Sequence, residues 1–270
     1  MLLNIRHETR YTYEEPVSYS IQALKLTPRA DPGQRVLGWR VLSPGDRLEQ
    51  VDPFGNLTQI VTLETPHRAL RIVVEGTVEV DTDDATVPTD CGTLSPLAYL
   101  APTPLTRPDA ALRELAERHL GRHPAAPRAL MDLVSGIRAA VAYQPGSTDV
   151  THSAAEALDL GVGASQDHAH VLVACCRAAG IPARYVSGYF HENDTGEVAS
   201  HAWADVWLGP GQGWHSLDVT HAEQAGTRHC RLAVGRDYLD AAPVRGVRRG
   251  GGKESMTVTV RVSNGQGHQQ

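Results

Sequence analysis

The stretch Gly161–Tyr189, GVGASQDHAHVLVACCRAAGIPARYVSGY, decides how this chain is read. Gly161 and Gly163 bend the backbone, and the residues that follow carry no Gly or Pro until Gly180. Val171, Leu172, Cys175 and Ala179 share one face at helical spacing, so an amphipathic helix is predicted that Gly180 ends. The next run, ARYVSGYF, is β-branched and aromatic and predicts a strand. Ser165 therefore heads a helix. Serine there is a good N-cap. The same place also suits a nucleophile, because unpaired N–H groups and the helix dipole favour negative charge and can hold the oxyanion of an acyl intermediate.

Two further strands follow, SHAWADVWL and GWHSLDVT, with HENDTGE and GPGQG as turns. His201 opens the first, 36 residues after Ser165, and Asp218 lies in the second, 17 residues later. A base on one strand and a carboxylate on its antiparallel neighbour suit a triad, in which the acid fixes the imidazole tautomer and stabilises its charged form. Trp203 and Trp207 could wall the histidine off from water.

Upstream, short β-branched and aromatic runs alternate with Pro, Gly and Asp from LNIRHETRYTYEEPV to ALRIVVEGTVEV, which predicts an antiparallel β domain over 1–85 with DPFGN (Asp52–Asn56) as a turn. Prolines 88, 96, 102, 104 and 108 then suggest an irregular linker over 86–108. Helices are expected in PDAALRELAERHL, with Asp109 as cap, in RALMDLVSGIRAAVAY, and in THSAAEALDLG, where Ser153 and Glu156 form a capping box. These helices and the three strands give a core over 109–230. A C-terminal segment with the strand KESMTVTVRV covers 231–263, and 264–270 is a tail.

Several of these motifs together resemble the bacterial transglutaminase-like proteins, whose usual pattern is close to G-x-G-V-C-Q-D-F-A-H, then G-I-P-A-R-Y-V-S-G-Y, H-A-W and D-P-T. IRHETRYTYEEPVSYSIQALKLTPR and DPFGN resemble the N-terminal β domain that accompanies that core. The resemblance implies an α+β fold in which the N-terminal antiparallel β domain joins a papain-like core of helices packed on an antiparallel sheet. It also implies a Cys-His-Asp triad acting on amide bonds. Position by position, the nucleophile falls on Ser165, the general base on His201 and the orienting acid on Asp218. The chain departs from the pattern at Ala164, Ser165, His168 and Val219. Only Ser165 changes the reacting atom. An engineered exchange of an active-site cysteine is the first reading of that serine; a native serine nucleophile and a pseudoenzyme that binds without turnover are the others.

Gln166, His168 and Trp203 are further candidates for substrate contact, and Asp167 and His170 for holding the helix. Arg184 in PARY would meet a buried carboxylate or a substrate. Thirteen histidines invite a metal, but His168 and His170 point about 200° apart on a helix and no H-E-x-x-H occurs, so no metal or cofactor is expected. Arg245, Arg248, Arg249 and Lys253 surround a glycine run that is read as a solvated loop; bordering the cleft, it would favour acidic substrates. The four cysteines lack C-x-x-C spacing and are expected as reduced, buried residues, with Cys91 and Cys230 unassigned.

Composition narrows the function. With 270 residues, 41% hydrophobic and 21% charged, the chain can fill one large domain or two ordinary ones. A net charge of -6 argues against a nucleic-acid partner, and the lack of any long apolar run argues against a membrane span or signal peptide. The expectation is a cytoplasmic amide-bond hydrolase of cysteine-protease type that acts on a peptide, isopeptide or related polyamide through an acyl-enzyme. A transamidase or a non-catalytic binding module is the alternative. Oligomeric state is not legible.

Overall fold

The computed structural model describes residues 1–81, 86–87, 92–121, 126–192, 197–198 and 200–265. The first strand, β1 (Leu2–Leu24), organises the N-terminal half. Its alternation sends Leu3, Ile5, His7, Thr9, Tyr11 and Tyr13 inward and Arg6 and Arg10 outward. The ladder breaks between Thr12 and Val17, where Pro16 has no N–H to offer. Beyond the break the inward set changes parity to Ser20, Gln22 and Leu24. The strand consequently serves different neighbours along its length: β4 (Leu57–Leu63) pairs with its second half, and β5 (His67–Val80) chiefly with its first, while β2 (Gln34–Leu42) and β3 (Asp46–Val51) extend the sheet on β5 and β4.

The Pro-rich passage is more than a tether. After the short strand β6 (Thr86–Val87), residues 88–91, and with them Pro88 and Cys91, lie outside the described residues. Pro96–Leu100 and Pro104–Thr106 then form 3-10 turns. Tyr99 stands edge-on to Trp214 at 5.3 Å, and Thr106 Oγ1 accepts a 2.6 Å hydrogen bond from Arg177. The passage therefore packs on the core, although proline punctuation suggested only irregularity.

Next come α1 (Ala110–Leu120), capped by Asp109 as expected, α2 (Pro127–Ala140), β7 (Ala142–Tyr143) and α3 (Ala154–Leu160), which starts at the Ser153/Glu156 capping box and ends at left-handed Gly161. A two-residue strand, β8 (Val162–Gly163), leads into α4 (Ser165–Ala178). Nearly every side chain of α4 is buried, because α1, α2 and α3 cover one side and a second sheet the other. That sheet holds β9 (Ala183–Phe190), the short β10 (Glu197–Val198) lying instead on the first sheet, then β11 (His201–Trp207), β12 (Trp214–Asp218), β13 (Glu223–Gln224) and β14 (His229–Gly235). Its strand order is β13-β12-β11-β9-β14.

After α5 (Tyr238–Ala241) the chain returns to the first sheet. There β15 (Val244–Gly250) and β16 (Glu254–Asn264) both pair antiparallel with β1. Two sequence boundaries change as a result. Residues 229–235 belong to the second sheet rather than opening a C-terminal segment, and 244–264 complete the N-terminal sheet. The Arg-rich run 245–249 is a strand, not a loop. The sheets share a core in which Leu3, Ile5, Val260 and Val262 meet Tyr189, Cys230 and Leu232. The DPFGN turn fastens them further: Asn56 exchanges two hydrogen bonds, 2.8 and 2.9 Å, with the backbone of Val234.

Candidate active site

The bend before α4 is set by Asp167. Its carboxylate accepts the Ala164 N–H at 2.8 Å and the Thr148 hydroxyl proton at 2.5 Å, bracing the first turn from within. A Cβ on Gly163 would lie 2.7 Å from Asp167 Cβ, so the second glycine of GVG is needed for close approach. The helix cap is Ala164, leaving Ser165 as the first helical residue. Its hydroxyl is spent on no cap and has no hydrogen-bond partner among the described residues. Ser165 and Gln166 instead line a cleft of about 260 Å³ together with His201.

His201 reaches that cleft from the start of β11, and Asp218 from the end of β12 supports it from behind. The His201 Nε2–H donates to Asp218 Oδ2 at 2.7 Å. Nδ1 is the nitrogen left over, without a partner among the described residues. This is the arrangement a general base needs. Asp218 serves two further rings: the same oxygen accepts from His221 Nδ1 at 2.7 Å and from His229 Nε2 at 3.0 Å. The tautomer of His229 follows from its other side, where Nδ1 accepts the Gly226 N–H at 3.1 Å and therefore leaves the proton on Nε2.

Burial by itself would push the Asp218 carboxyl up, but the hydrogen bonds from His201, His221 and His229 hold it far below the usual carboxylate range. Burial likewise lowers His229, against the pull of Asp218. Phe190 fills the space among the three imidazoles, with its ring centre 4.0 Å from His221, 4.8 Å from His229 and 5.2 Å from His201. His201, Asp218 and His221 each offer a metal-ligating atom within 4.8 Å of one another. The three ring nitrogens converge on the Asp218 carboxylate oxygen, which accepts from each of them.

A second buried carboxylate lies one strand away. Asp205 takes the Arg184 Nε–H at 2.8 Å, two bonds from the Arg231 guanidinium and the Ser216 hydroxyl proton at 2.7 Å. Despite full burial, its carboxyl is held down at about 2, with Arg231 the larger cause and Arg184 the next. Arg184 also lies over the Trp214 ring at 4.2 Å. Of the two roles open to Arg184, the structure shows the buried ion pair.

The bacterial transglutaminase-like N-terminal region matches residues 3–79, and the transglutaminase-like superfamily model matches residues 113–219. An uncharacterized protein of Mycobacterium leprae is 32% identical over 284 aligned positions, covering 97% of this chain and 98% of its own length. The chain belongs to the transglutaminase-like superfamily. Another uncharacterized relative, from Mycobacterium tuberculosis, is 31% identical over 90% of this chain and 86% of its own. Among solved structures, a candidate cysteine protease from Cytophaga hutchinsonii superposes with a TM-score of 0.79 at 22% identity, over 100% of this chain and 92% of that one. That likeness confirms the α+β transglutaminase-like fold. No helix among the described residues is long and apolar enough to cross a membrane.

Within this superfamily chain, Ser165, His201 and Gln166 share the cleft, and Asp218 stands behind His201. Two expected contacts fall elsewhere. His168 is turned into the core, bonded to Thr220 Oγ1 at 3.0 Å and to the Val141 carbonyl at 2.8 Å. Trp203 is 1% exposed, behind His201 and against Gly188. Neither presents a surface to substrate, because both sit on the interior faces of α4 and β11. His170 accepts the Tyr238 N–H at 3.1 Å and so ties α4 to α5. Further residues join the site through pairing across the chain. His229 escaped because its partnership depends on β14 pairing with β9. His7 and Thr9 line the cleft from β1, and their signal was available: polar residues at inward positions of an otherwise apolar alternation.

Proposed function

We propose that this chain cleaves amide bonds by acyl transfer to residue 165, as a hydrolase of the cysteine-protease type in which oxygen replaces sulfur. The observation that carries the reading is the His201–Asp218 pair at 2.7 Å beside a cleft that also holds an uncapped helix-head hydroxyl. Asp218 fixes the proton on Nε2 of His201, which leaves the Nδ1 lone pair to act. As Ser165 Oγ bonds to the substrate carbonyl carbon, its proton passes to Nδ1. The oxyanion falls near the first N–H groups of α4, which have no intrahelical acceptor. Collapse breaks the C–N bond, and the leaving amine takes the proton from His201. Water, deprotonated by the same nitrogen, then hydrolyses the acyl-serine.

A hydroxyl is far less acidic than a thiol, so with serine the first step depends wholly on His201 and is slow. The substrate is a peptide, isopeptide or related polyamide. Exposure to 4-nitrophenyl acetate followed by peptide mass mapping tests the reading. Acetyl on Ser165 that is absent from His201→Ala supports it; acetylation of other residues only, or equal labelling of both proteins, refutes it.

A further inference from the structure

The far wall of the cleft belongs to the first sheet. Along β16 the even-numbered residues face one way. Val260 and Val262 on that face are buried in the core between the sheets, at 1% and 2% exposure. Met256 and Val258 continue the same face, yet they are 55% and 45% exposed. The core-facing side of the strand thus runs beyond the core and opens into the cleft. The adjacent strand does the same: Tyr11 pairs with Met256 and Thr9 with Val258, and both β1 residues also line the cleft. Tyr238 and Val244 close the space from α5 and β15.

No Lys, Arg, Asp or Glu among the described residues lines this cleft. The charges of β1 lie on the opposite face, where Arg6 pairs with Glu75 and Glu8 with Arg71. Arg248, from the basic run, is engaged by Glu254 and lies over the Tyr13 ring. An ionised substrate group entering here would lose hydration and gain no counter-charge. An apolar one would cover Met256 and Val258 and remove their surface from water.

We infer that the β1/β16 wall is a substrate subsite for an uncharged apolar side chain, aliphatic or aromatic, next to the carbonyl that reacts at residue 165. The assignment rests on the acyl-transfer reading for which carbonyl the side chain flanks. A cleft of about 260 Å³ has room for a leucine- or phenylalanine-sized group and a short length of backbone. The wall gives the N-terminal sheet a part in the site: it supplies one side of the cleft.

Calorimetric binding of N-acetyl-leucine, -phenylalanine, -alanine, -glutamate and -lysine amides to the Ser165→Ala full chain tests the subsite without requiring turnover. In parallel, kcat/KM is measured for the matching 4-nitroanilides with the unsubstituted chain. Leucine and phenylalanine amides should bind about tenfold or more tightly than alanine, as a few buried methylenes imply, with glutamate and lysine weakest. Met256→Lys, at an exposed position, should raise glutamate above leucine in the same measurement. Apolar-selective binding without anilide turnover would sink the catalytic reading and leave the subsite standing. Equal binding of charged and apolar amides, no measurable binding of any, or an unchanged order in Met256→Lys would overturn the subsite.

Discussion

Asp205 and Asp218 are both fully buried carboxylates, on neighbouring strands of one sheet, and they are stabilised in opposite ways. Asp205 is held by Arg184 and Arg231, cations that keep their charge at any pH the fold survives. Asp218 is held by three imidazoles, which can stay neutral while donating a proton. The first arrangement locks strands together. The second keeps a negative charge behind an imidazole whose other nitrogen has no partner among the described residues. Burial alone therefore does not distinguish the two acids; the kind of donor around each does.

The largest separation of the two should come from Asp218→Asn. Loss of the tautomer-fixing carboxylate is expected to lower kcat about 10³–10⁴-fold in the acylation assay, as in other triads. Melting should fall modestly, since the orphaned imidazoles can remain neutral. A loss below tenfold would show that Asp218 is structural like its neighbour. Asp205→Asn should behave in reverse, removing the carboxylate that the two buried guanidiniums share, at a cost of about 3–5 kcal/mol by denaturant unfolding. Stability within about 1 kcal/mol of the parent, on the order of a single surface ion pair, would break the contrast.

A third effect concerns histidines kept neutral. Burial lowers His7 to about 4 and His170 to about 3, below the ordinary 6.5. The unfolded chain therefore binds protons first as pH falls. Stability is intact above about 6.5 and drains away toward 4, by roughly 3 kcal/mol for His7 alone at about 1.4 kcal/mol per unit. His7→Gln should flatten part of that acid slope in melting curves taken between pH 7 and 4; an unchanged slope would assign the loss to other groups. Smallest is His229→Phe, which preserves the ring and removes one donor to Asp218. About a tenfold fall in kcat with KM unchanged is expected, roughly the 1.4 kcal/mol of one hydrogen bond, and His229→Gln should recover part of it. A change in KM instead would make His229 part of substrate binding.

Local features were legible before any coordinates. Gly161 and Gly163, the apolar face of α4, the Ser153 capping box and the strand runs holding His201 and Asp218 all declare themselves within a few residues, because capping and periodicity are short-range physics. What stayed hidden depends on pairing across the chain. Nothing local in GTRHCRL shows that His229 will reach Asp218, and nothing in KESMTVTVRV shows that Met256 will pair with Tyr11 in the cleft that Ser165 lines. Trp203 and His168 differ from their sequence reading for a related reason: an aromatic or polar side chain near a candidate site residue in sequence can point to either face of its element. The bland possibility for Ser165, a helix cap, was settled by one residue of register, since Ala164 occupies the cap.

If position 165 is a reaction position served by His201, placing sulfur there tests it directly. Cys175, Cys176 and Cys230 are fully buried, and burial pushes the Cys175 thiol up to about 12 and the other two further, so they provide a quiet background. In Ser165→Cys, iodoacetamide labelling at neutral pH followed by peptide mapping should modify the introduced thiol well ahead of Cys175, Cys176 and Cys230. Adding His201→Ala should slow that labelling at least about tenfold, below the usual range for a general base. Labelling at position 165 no faster than at Cys230, or unaffected by loss of His201, would contradict the account.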